Sequence, residues 1–306
     1  MTPSTPPPPF YVAGPTGVGK SEFAVCLAER CGGEIVGADA FQVYAGLPLL
    51  TAKPSPELLD RAPHHLIGDV PLTHSLDVGQ YAATARRVIA EIQSRGSIPI
   101  IVGGTGLYIR TLLCGMADLP RADPELRRML DTLSAGELHA LLTAHDPEGA
   151  RTIDSKNPRR LVRALEICLL TNRPFSSFRQ QWADARPSTC GVMLNRDRSE
   201  LYQRIEQRTI EMFAAGAVEE VRSVGDEIGP TASQAIGFRE IRGLISGEMS
   251  LPECTERIQR ATRRYAKRQL TWFRREPSLE PVNLSLESDA EALLTRLTER
   301  IIALRS

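Results

Sequence analysis

The sequence predicts an α/β protein whose parallel sheet is interrupted by a helical insertion. Two observations lead to this class. Short apolar runs of strand length alternate with helical patterns in the first third of the chain, and a glycine-rich loop joins the first run to the first helix. Strands that are apolar throughout, with helices between them, are typical of a parallel sheet covered on both faces.

The elements of this core follow one another at short intervals. The spacing predicts strands at Phe10–Gly14, Glu34–Ala38 and Ile98–Val102, and helices at Lys20–Cys31 and Asp77–Arg95. Ligands of parallel sheets bind at the carboxyl ends of the strands. The glycine-rich loop, Asp39 and Gly103-Gly104-Thr105 each follow a strand directly, so we expect them to line one crevice.

The glycine-rich loop has the full Gly-x-x-x-x-Gly-Lys-Ser pattern of a phosphate-binding loop, between a strand and a helix. Backbone N–H groups and the helix start attract phosphate oxygens. Lys20 can reach the terminal phosphates, and the Ser21 hydroxyl can hold Mg²⁺. We therefore predict a P-loop NTPase-like core that binds a di- or triphosphate. The predicted phosphate-binding residues are Gly14, Pro15, Thr16, Gly17, Val18, Gly19, Lys20 and Ser21.

Strand signals fade after Arg121, and short helical patterns replace them up to Pro187. Ser134 precedes Glu137 by three residues, the spacing of a capping box. Later elements are expected at Ser134–Ala144, Ser155–Thr171, Cys190–Leu194 (a strand), Glu200–Ala215, Val218–Val224, Glu253–Arg275 and from Glu287 on. We expect a disordered Pro-rich tail at residues 1–9, the first part of the core at 10–120, the insertion at 121–187 and a mostly helical continuation of the core at 188–306.

Composition excludes several classes of protein. The charge is balanced, 37 basic against 37 acidic residues, so no global field attracts nucleic acid or a membrane. No run approaches the roughly 20 apolar residues that span a bilayer, and the Pro-rich start lacks the features of a signal peptide. Six scattered cysteines without a Cys-x-x-Cys pair argue against disulfides or zinc and fit a reducing cytosol. We expect a cytoplasmic monomer.

Positive charge is concentrated in two places. Eight basic residues and no acidic one lie between Arg257 and Arg275. The second cluster comprises Arg159, Arg160 and Arg163, on the helix face opposite Leu161, Leu165 and Leu169. Either cluster alone fits a solvated helix face equally well. Two of them in a neutral, phosphate-binding protein favour a polyanionic partner.

Several further segments carry a resemblance to a known family. In their order and spacing they are similar to the tRNA dimethylallyltransferases, also called tRNA isopentenyltransferases, over nearly the whole chain from Phe10 to Glu276. Besides the phosphate loop, the segments are Asp39–Tyr44, Thr51–Pro54, Pro63–Ile67, Gly103–Tyr108, Arg159–Glu166, Leu201–Ile205, Ala235–Glu240 and Thr262–Phe273.

The resemblance implies a reaction and its partners. The family transfers a dimethylallyl group from dimethylallyl diphosphate to the exocyclic N6 amine of the adenosine at tRNA position 37, next to the anticodon, and requires Mg²⁺. It combines a phosphate-loop core with a helical insertion that grips the anticodon stem-loop. The chain ends without the zinc finger that eukaryotic members often carry, so we expect a bacterial protein.

The resemblance also assigns residues. Asp39, already expected at a strand end, is the candidate base that takes the proton from the adenine amine, although a turn or helix-cap aspartate is the alternative. Lys20 stabilises the leaving diphosphate, and Thr105 touches the adenine or simply caps a helix. The residues expected at the tRNA are Asp39, Ala40, Phe41, Gln42, Thr105, Arg127, Arg159, Arg160, Leu161, Val162, Arg163, Ser233, Gln234, Ala235, Ile236, Gly237 and Phe238.

Three positions depart from the family pattern. Ala40 replaces the usual serine after the aspartate, Phe41 replaces a polar residue before the glutamine, and Leu50 replaces the glycine before Thr-Ala-Lys-Pro. Ala40 removes one hydroxyl from the base pocket. Tyr265, Trp272 and Phe273 have the types of stacking platforms, but their spacing favours core packing.

Three other functions compete. A small-molecule kinase would need an aspartate after an apolar strand; Ile101-Val102 ends in Gly103, and Asp69 is a weaker candidate. An adenylate isopentenyltransferase would prenylate a free nucleotide, and the insertion and arginine clusters argue for tRNA instead. A non-catalytic tRNA-binding module would need neither Asp39 nor an intact phosphate loop.

Overall fold

The structure, a computed structural model, describes residues 6–115, 119–178, 191–287 and 289–303. The chain divides into two units. The first takes in the described residues of 1–112 and 187–306, and the second those of 113–186. No helix in the described ranges is long and apolar enough to cross a lipid bilayer.

A parallel sheet forms the centre of the first unit. Its strands are β1 (Phe10–Ala13), β2 (Gly33–Gly37), β3 (His64–His65), β4 (Ile98–Gly103), β5 (Gly191–Asn195) and β6 (Leu279–Asn283). Within the described residues the order is β3-β2-β4-β1-β5-β6, and every pair is parallel. The predicted α/β class with a parallel sheet is confirmed.

Two edge strands escaped the sequence analysis for different reasons. β3 is only two residues long and is too short to show a pattern. β6 has the sequence Leu-Glu-Pro-Val-Asn, and Pro281 argues against a central strand. Both lie at the sheet edges, where a missing backbone donor is tolerated. Of the predicted strand Cys190–Leu194, Cys190 lies outside the described residues.

The helices, in chain order, are α1 (Lys20–Cys31), α2 (Pro56–Arg61), α3 (Val78–Ser94), α4 (Gly106–Cys114), α5 (Pro124–Leu130), α6 (Ala135–His145), α7 (Pro147–Thr152), α8 (Pro158–Thr171), α9 (Arg198–Ala214), α10 (Ala217–Val224), α11 (Phe238–Ile245), α12 (Leu251–Phe273) and α13 (Ala290–Ala303). The long predicted helices are present. α2, α4, α5, α7 and α11 were not predicted, because six to nine residues show too little periodicity.

Helix α12 shows how the sequence pattern positions the site. Its buried residues are Cys254, Ile258, Thr262, Ala266, Gln269 and Phe273, three or four apart, so that one face lies against the core. Arg264, Lys267 and Arg268 occupy the exposed side. The buried face therefore places two polar side chains, Thr262 and Gln269, in the interior.

The second unit has its own apolar core. Leu138, Leu142, Leu161 and Leu165 are among its most buried members. Ser134 and Glu137 form the predicted capping box at the start of α6. α8 begins at Pro158, with Asn157 as its cap, rather than at Ser155.

The expected apolar face of α8 is shorter than the sequence pattern suggested. Leu169 is 41% exposed, so it does not continue the buried face of Leu161 and Leu165.

Candidate active site

Three loops meet at the carboxyl edge of the sheet. β2, β4 and β1 are neighbours, and they end at the turns that carry Asp39, Thr105 and the phosphate loop. The backbones approach closely here, since a Cβ on Gly103 would lie 2.0 Å from the Ala38 carbonyl oxygen. The loops open on a cavity of about 650 Å³, whose lining includes Lys20, Asp39 and Arg208.

Side chains of the first unit hold the phosphate loop in shape. Arg204 Nε donates to the Gly17 carbonyl at 2.9 Å, and Arg196 Nε donates to the Val18 carbonyl at 3.0 Å. The C=O and the following N–H of a trans peptide point in opposite directions. The Gly19 N–H therefore turns away from Arg196, as a phosphate cradle requires.

Lys20 lines the cavity. Its Nζ donates to the Pro15 carbonyl at 2.8 Å. Burial lowers the pKa of the Lys20 ammonium to about 8; the Asp39 carboxylate opposes this and Arg208 adds to it. A bound diphosphate would favour the charged form of Lys20 and would therefore raise this pKa.

Arg208, on α9, is a candidate site residue that the sequence analysis missed. It forms no hydrogen bond or ion pair with any residue that the structure describes. Burial lowers the pKa of its guanidinium, and the Asp39 charge partly offsets that effect. A desolvated cation without a partner is costly, so an anion of the ligand is its natural counter-ion. Its spacing of four from Arg204, on the same face of α9, was the available signal.

Asp39 interacts electrostatically with Lys20 and Arg208. One carboxylate oxygen accepts from the Phe41 N–H at 2.9 Å and from the Gln42 N–H at 3.3 Å, which fixes the side chain in a turn. The other oxygen has no partner among the described residues. Thr105 supports the same turn, since its Oγ1 accepts from the Ala40 N–H at 2.9 Å. The predicted base is thus held at one oxygen and accessible at the other.

Gln42 is tied to the neighbouring loop. Its Nε2 donates to the carbonyls of Thr51 at 3.2 Å and Ala52 at 2.7 Å. Ala52 has a φ of 51°, in the left-handed region, which costs roughly 1–2 kcal/mol without glycine. The hydrogen bonds help offset that strain, and no residue that the structure describes donates to the Gln42 amide oxygen. Phe41 and Leu50, two of the family departures, line the cavity together with Met212.

The predicted stretch 233–238 is only partly accessible. Ala235 and Ile236 line the cavity. Phe238 is 5% exposed and packs in the core, while Ser233 and Gln234 each donate to the Pro230 carbonyl.

The arginines of the second unit differ among themselves. Arg127 and Arg163 both bind the Glu166 carboxylate, which is fully buried; the Arg127–Glu166 contact measures 2.9 Å. Burial alone would raise the pKa of the Glu166 carboxyl, but the two arginines outweigh it and lower that pKa. Arg159 and Arg160 are exposed. Leu161 and Val162 are buried, so their side chains do not face solvent.

Ser21 is the residue that the phosphate-loop pattern assigns to the metal ion. No cluster of three or more His, Cys, Asp or Glu side chains suited to a metal occurs in the described parts of the chain. Ser21 lines the cavity at the start of α1. Mg²⁺ keeps several waters and takes one or two protein ligands besides phosphate oxygens, so a single hydroxyl beside a diphosphate fits it.

Comparison with known proteins decides the family. The model of the IPP transferase family matches residues 42–276. The chain belongs to the IPP transferase family. The tRNA dimethylallyltransferase of Geobacter sulfurreducens is 45% identical over 291 residues, which cover 91% of this chain and 93% of that protein. That of Akkermansia muciniphila is 40% identical over 95% of this chain and 99% of its own length.

Solved structures agree with this IPP transferase assignment. The tRNA isopentenylpyrophosphate transferase of Bacillus halodurans has a TM-score of 0.71 and 33% identity, covering 98% of this chain and 97% of its own. A eukaryotic dimethylallyltransferase acting on tRNA has a TM-score of 0.82 and 26% identity, covering 97% of this chain and 80% of its own.

Proposed function

We propose that this chain transfers a dimethylallyl group from dimethylallyl diphosphate to the N6 amine of the adenosine at tRNA position 37. The products are N6-dimethylallyladenosine and diphosphate. The single observation that carries the proposal is the cavity, which combines a phosphate loop, the Lys20 and Arg208 cations and the Asp39 carboxylate with one oxygen available. Family membership supports the same reaction.

The chemistry follows from the charges. The N6 lone pair forms the new C–N bond as the C–O bond of the donor breaks, and the bonding electrons leave with the diphosphate. Lys20 and Arg208 stabilise the charge that develops on the leaving group. Asp39 takes the N6 proton, without which the delocalised amine is a weak nucleophile. When bound beside Ser21, Mg²⁺ would supply further neutralisation of the diphosphate.

The acceptor must enter the cavity as a single base. An adenine within an anticodon loop has to leave its stack before it can reach Asp39. Apolar residues such as Phe41 and Ile236 can take over the stacking and the prenyl contact. The exposed Arg159 and Arg160 of the second unit suit the phosphates of the stem.

Asp69, the residue that could have supported a kinase, does not lie at the phosphate loop. Asp69 Oδ2 accepts from the Leu66 N–H at 2.8 Å, which engages it in its own turn. Asp69 does not line the cavity that holds the phosphate loop.

The direct test is mass spectrometry of nucleosides from tRNA incubated with the protein, Mg²⁺ and dimethylallyl diphosphate. We expect N6-dimethylallyladenosine at position 37 only. Adenosine monophosphate as a parallel acceptor separates the two prenyl-transfer functions, since efficient prenylation of the free nucleotide and none of the tRNA would overturn the proposal. Coupled ATP turnover with a phosphorylated product would point to a kinase.

A further inference from the structure

Gln269 contacts the phosphate loop and the turn after β4 without lining the cavity. It is 5% exposed and sits on the buried face of α12. Its Oε1 accepts from the Thr16 N–H, in the phosphate loop, at 2.9 Å. Its Nε2 donates to the carbonyl of Gly104, the residue before Thr105, also at 2.9 Å. One amide thus links two loops that are far apart in the sequence.

The orientation of this amide is fixed by its partners. A backbone N–H can only donate and a carbonyl can only accept, so only one of the two flip states satisfies both. The Thr16 N–H is consequently engaged by α12, and the phosphate must be held by the other groups of the loop. The bridge positions the loop rather than binding the ligand.

Helix α12 contacts the turn that follows β4 at further points. A Cβ on Gly104 would lie 2.3 Å from Gln269 Nε2, and one on Gly106 would lie 2.3 Å from the Trp272 ring. Tyr265, one turn before Gln269, lines the cavity. Burial raises the pKa of its hydroxyl, and hydrogen bonds with Thr105 and Gln269 partly oppose that rise. The glycines of this turn therefore make room for α12.

We propose that Gln269 is a positioning residue that holds the phosphate loop and the Thr105 turn in one register, so that the donor carbon and the acceptor amine meet. The inference rests on the proposed function. A misplacement of about 1 Å can cost roughly a hundredfold in rate, whereas binding of either substrate alone does not require the register. The two loops follow neighbouring strands, β1 and β4, and Gln269 adds a side-chain link between them beyond the strand ends.

The test compares three variants under single-turnover conditions. Gln269→Met removes the hydrogen bonds to Thr16 and Gly104 at similar volume. Gln269→Glu keeps the acceptor for the Thr16 N–H but places an acceptor against the Gly104 carbonyl unless its carboxyl is protonated. Gln259→Met is the matched control: Gln259 lies on the same helix and bonds the Glu206 carbonyl at 3.3 Å, but it does not line the cavity.

We expect Gln269→Met to lower the single-turnover rate constant roughly a hundredfold, with KM for donor and tRNA nearly unchanged. Gln259→Met should retain the wild-type rate. For Gln269→Glu, the rate relative to wild type should rise as pH falls, because only the protonated carboxyl can donate to the Gly104 carbonyl. A purely structural glutamine would lower thermal stability without this pH dependence.

The outcomes test the role of Gln269 and the proposed function separately. A wild-type rate in Gln269→Met overturns the inference. If that variant does not fold, a pH-independent ratio for Gln269→Glu overturns it. If the wild-type protein makes no N6-dimethylallyladenosine while it remains folded, the proposed function fails instead, and the two failures are therefore distinguishable.

Discussion

Two groups, each of one carboxylate and two cations, have opposite arrangements. In the cavity, Asp39 lies near Lys20 and Arg208; in the second unit, Glu166 lies near Arg127 and Arg163. Glu166 closes both of its ion pairs, whereas no ion pair joins Asp39 to either cation in the described residues. In the second unit the carboxylate forms ion pairs with both cations and stabilises the fold, and we call this the closed group. In the cavity the carboxylate forms no such pair within the described part of the chain and remains available for chemistry, and we call this the open group.

We expect the largest effect from substitution of Asp39, the carboxylate of the open group. Asp39→Asn keeps an acceptor for the Phe41 and Gln42 N–H groups but cannot take a proton. We expect the single-turnover rate to fall by roughly two to four orders of magnitude, with tRNA affinity unchanged in a filter-binding assay. Asp69→Asn, outside the cavity, should behave as wild type. If Asp39→Asn kept most of the wild-type rate, Asp39 would not be the base.

Substitution of Glu166, the carboxylate of the closed group, should lower the free energy of unfolding. Glu166→Gln leaves two arginines without their counter-charge. Removing one partner of a buried pair costs about 3–5 kcal/mol, and we expect the lower end because the Arg127 and Arg163 side chains are 41% and 33% exposed.

Urea unfolding followed by circular dichroism measures this loss, and Glu125→Gln is the control, since Glu125 is 88% exposed. Equal stabilities of the two variants would contradict the structural role of Glu166. Because the pKa of Glu166 is lowered in the fold, its contribution is present above the unfolded pKa and is lost as pH falls through the folded one.

Arg208→Met should show the reverse pattern of Glu166→Gln. Loss of a charge-assisted contact costs about 1.5–3 kcal/mol, so we expect affinity for dimethylallyl diphosphate to fall roughly ten- to a hundredfold in calorimetry. Stability should stay constant or rise, because an unpaired desolvated cation opposes folding. Arg257→Met, at an arginine paired with Glu253 outside the cavity, should leave donor binding intact. Unchanged donor affinity in Arg208→Met would show that Arg208 does not bind the diphosphate.

The smallest expected effect is a pH dependence. The pKa of Lys20 is lowered to about 8 in the free protein, and a bound diphosphate raises it. Donor binding should therefore take up a proton near pH 8, and affinity should fall as pH rises above that value, by up to about tenfold per pH unit. Below pH 8 this group adds no dependence.

Titration calorimetry in buffers of different ionisation enthalpy detects the uptake. Lys20→Met should bind more weakly and without this decline. Identical pH profiles for the two proteins would assign the effect to another group.

Local patterns predicted much of this arrangement, and long-range pairings did not follow from them. The phosphate loop, α1 and the capping box at Ser134 are local, and each is present. The Glu166 cluster has a local part, Arg163 at three residues, and a distant part, Arg127 at 39 residues, which no periodicity indicates. Gln269 and Thr16 are 253 residues apart. The assignments to individual tRNA-contacting residues stay predictions.

The close approach of backbones around the cavity has a consequence for mutational scans. Gly103, Gly104 and Gly106 each leave less than 3 Å between a new Cβ and the Ala38 backbone, Gln269 or Trp272. Alanine at any of them would displace a neighbour that shapes the cavity, so a selection for growth or activity would score these positions as severely as Asp39. Sensitivity in such a scan maps where chain segments touch. Only rate measurements separate those positions from the residues that carry the chemistry.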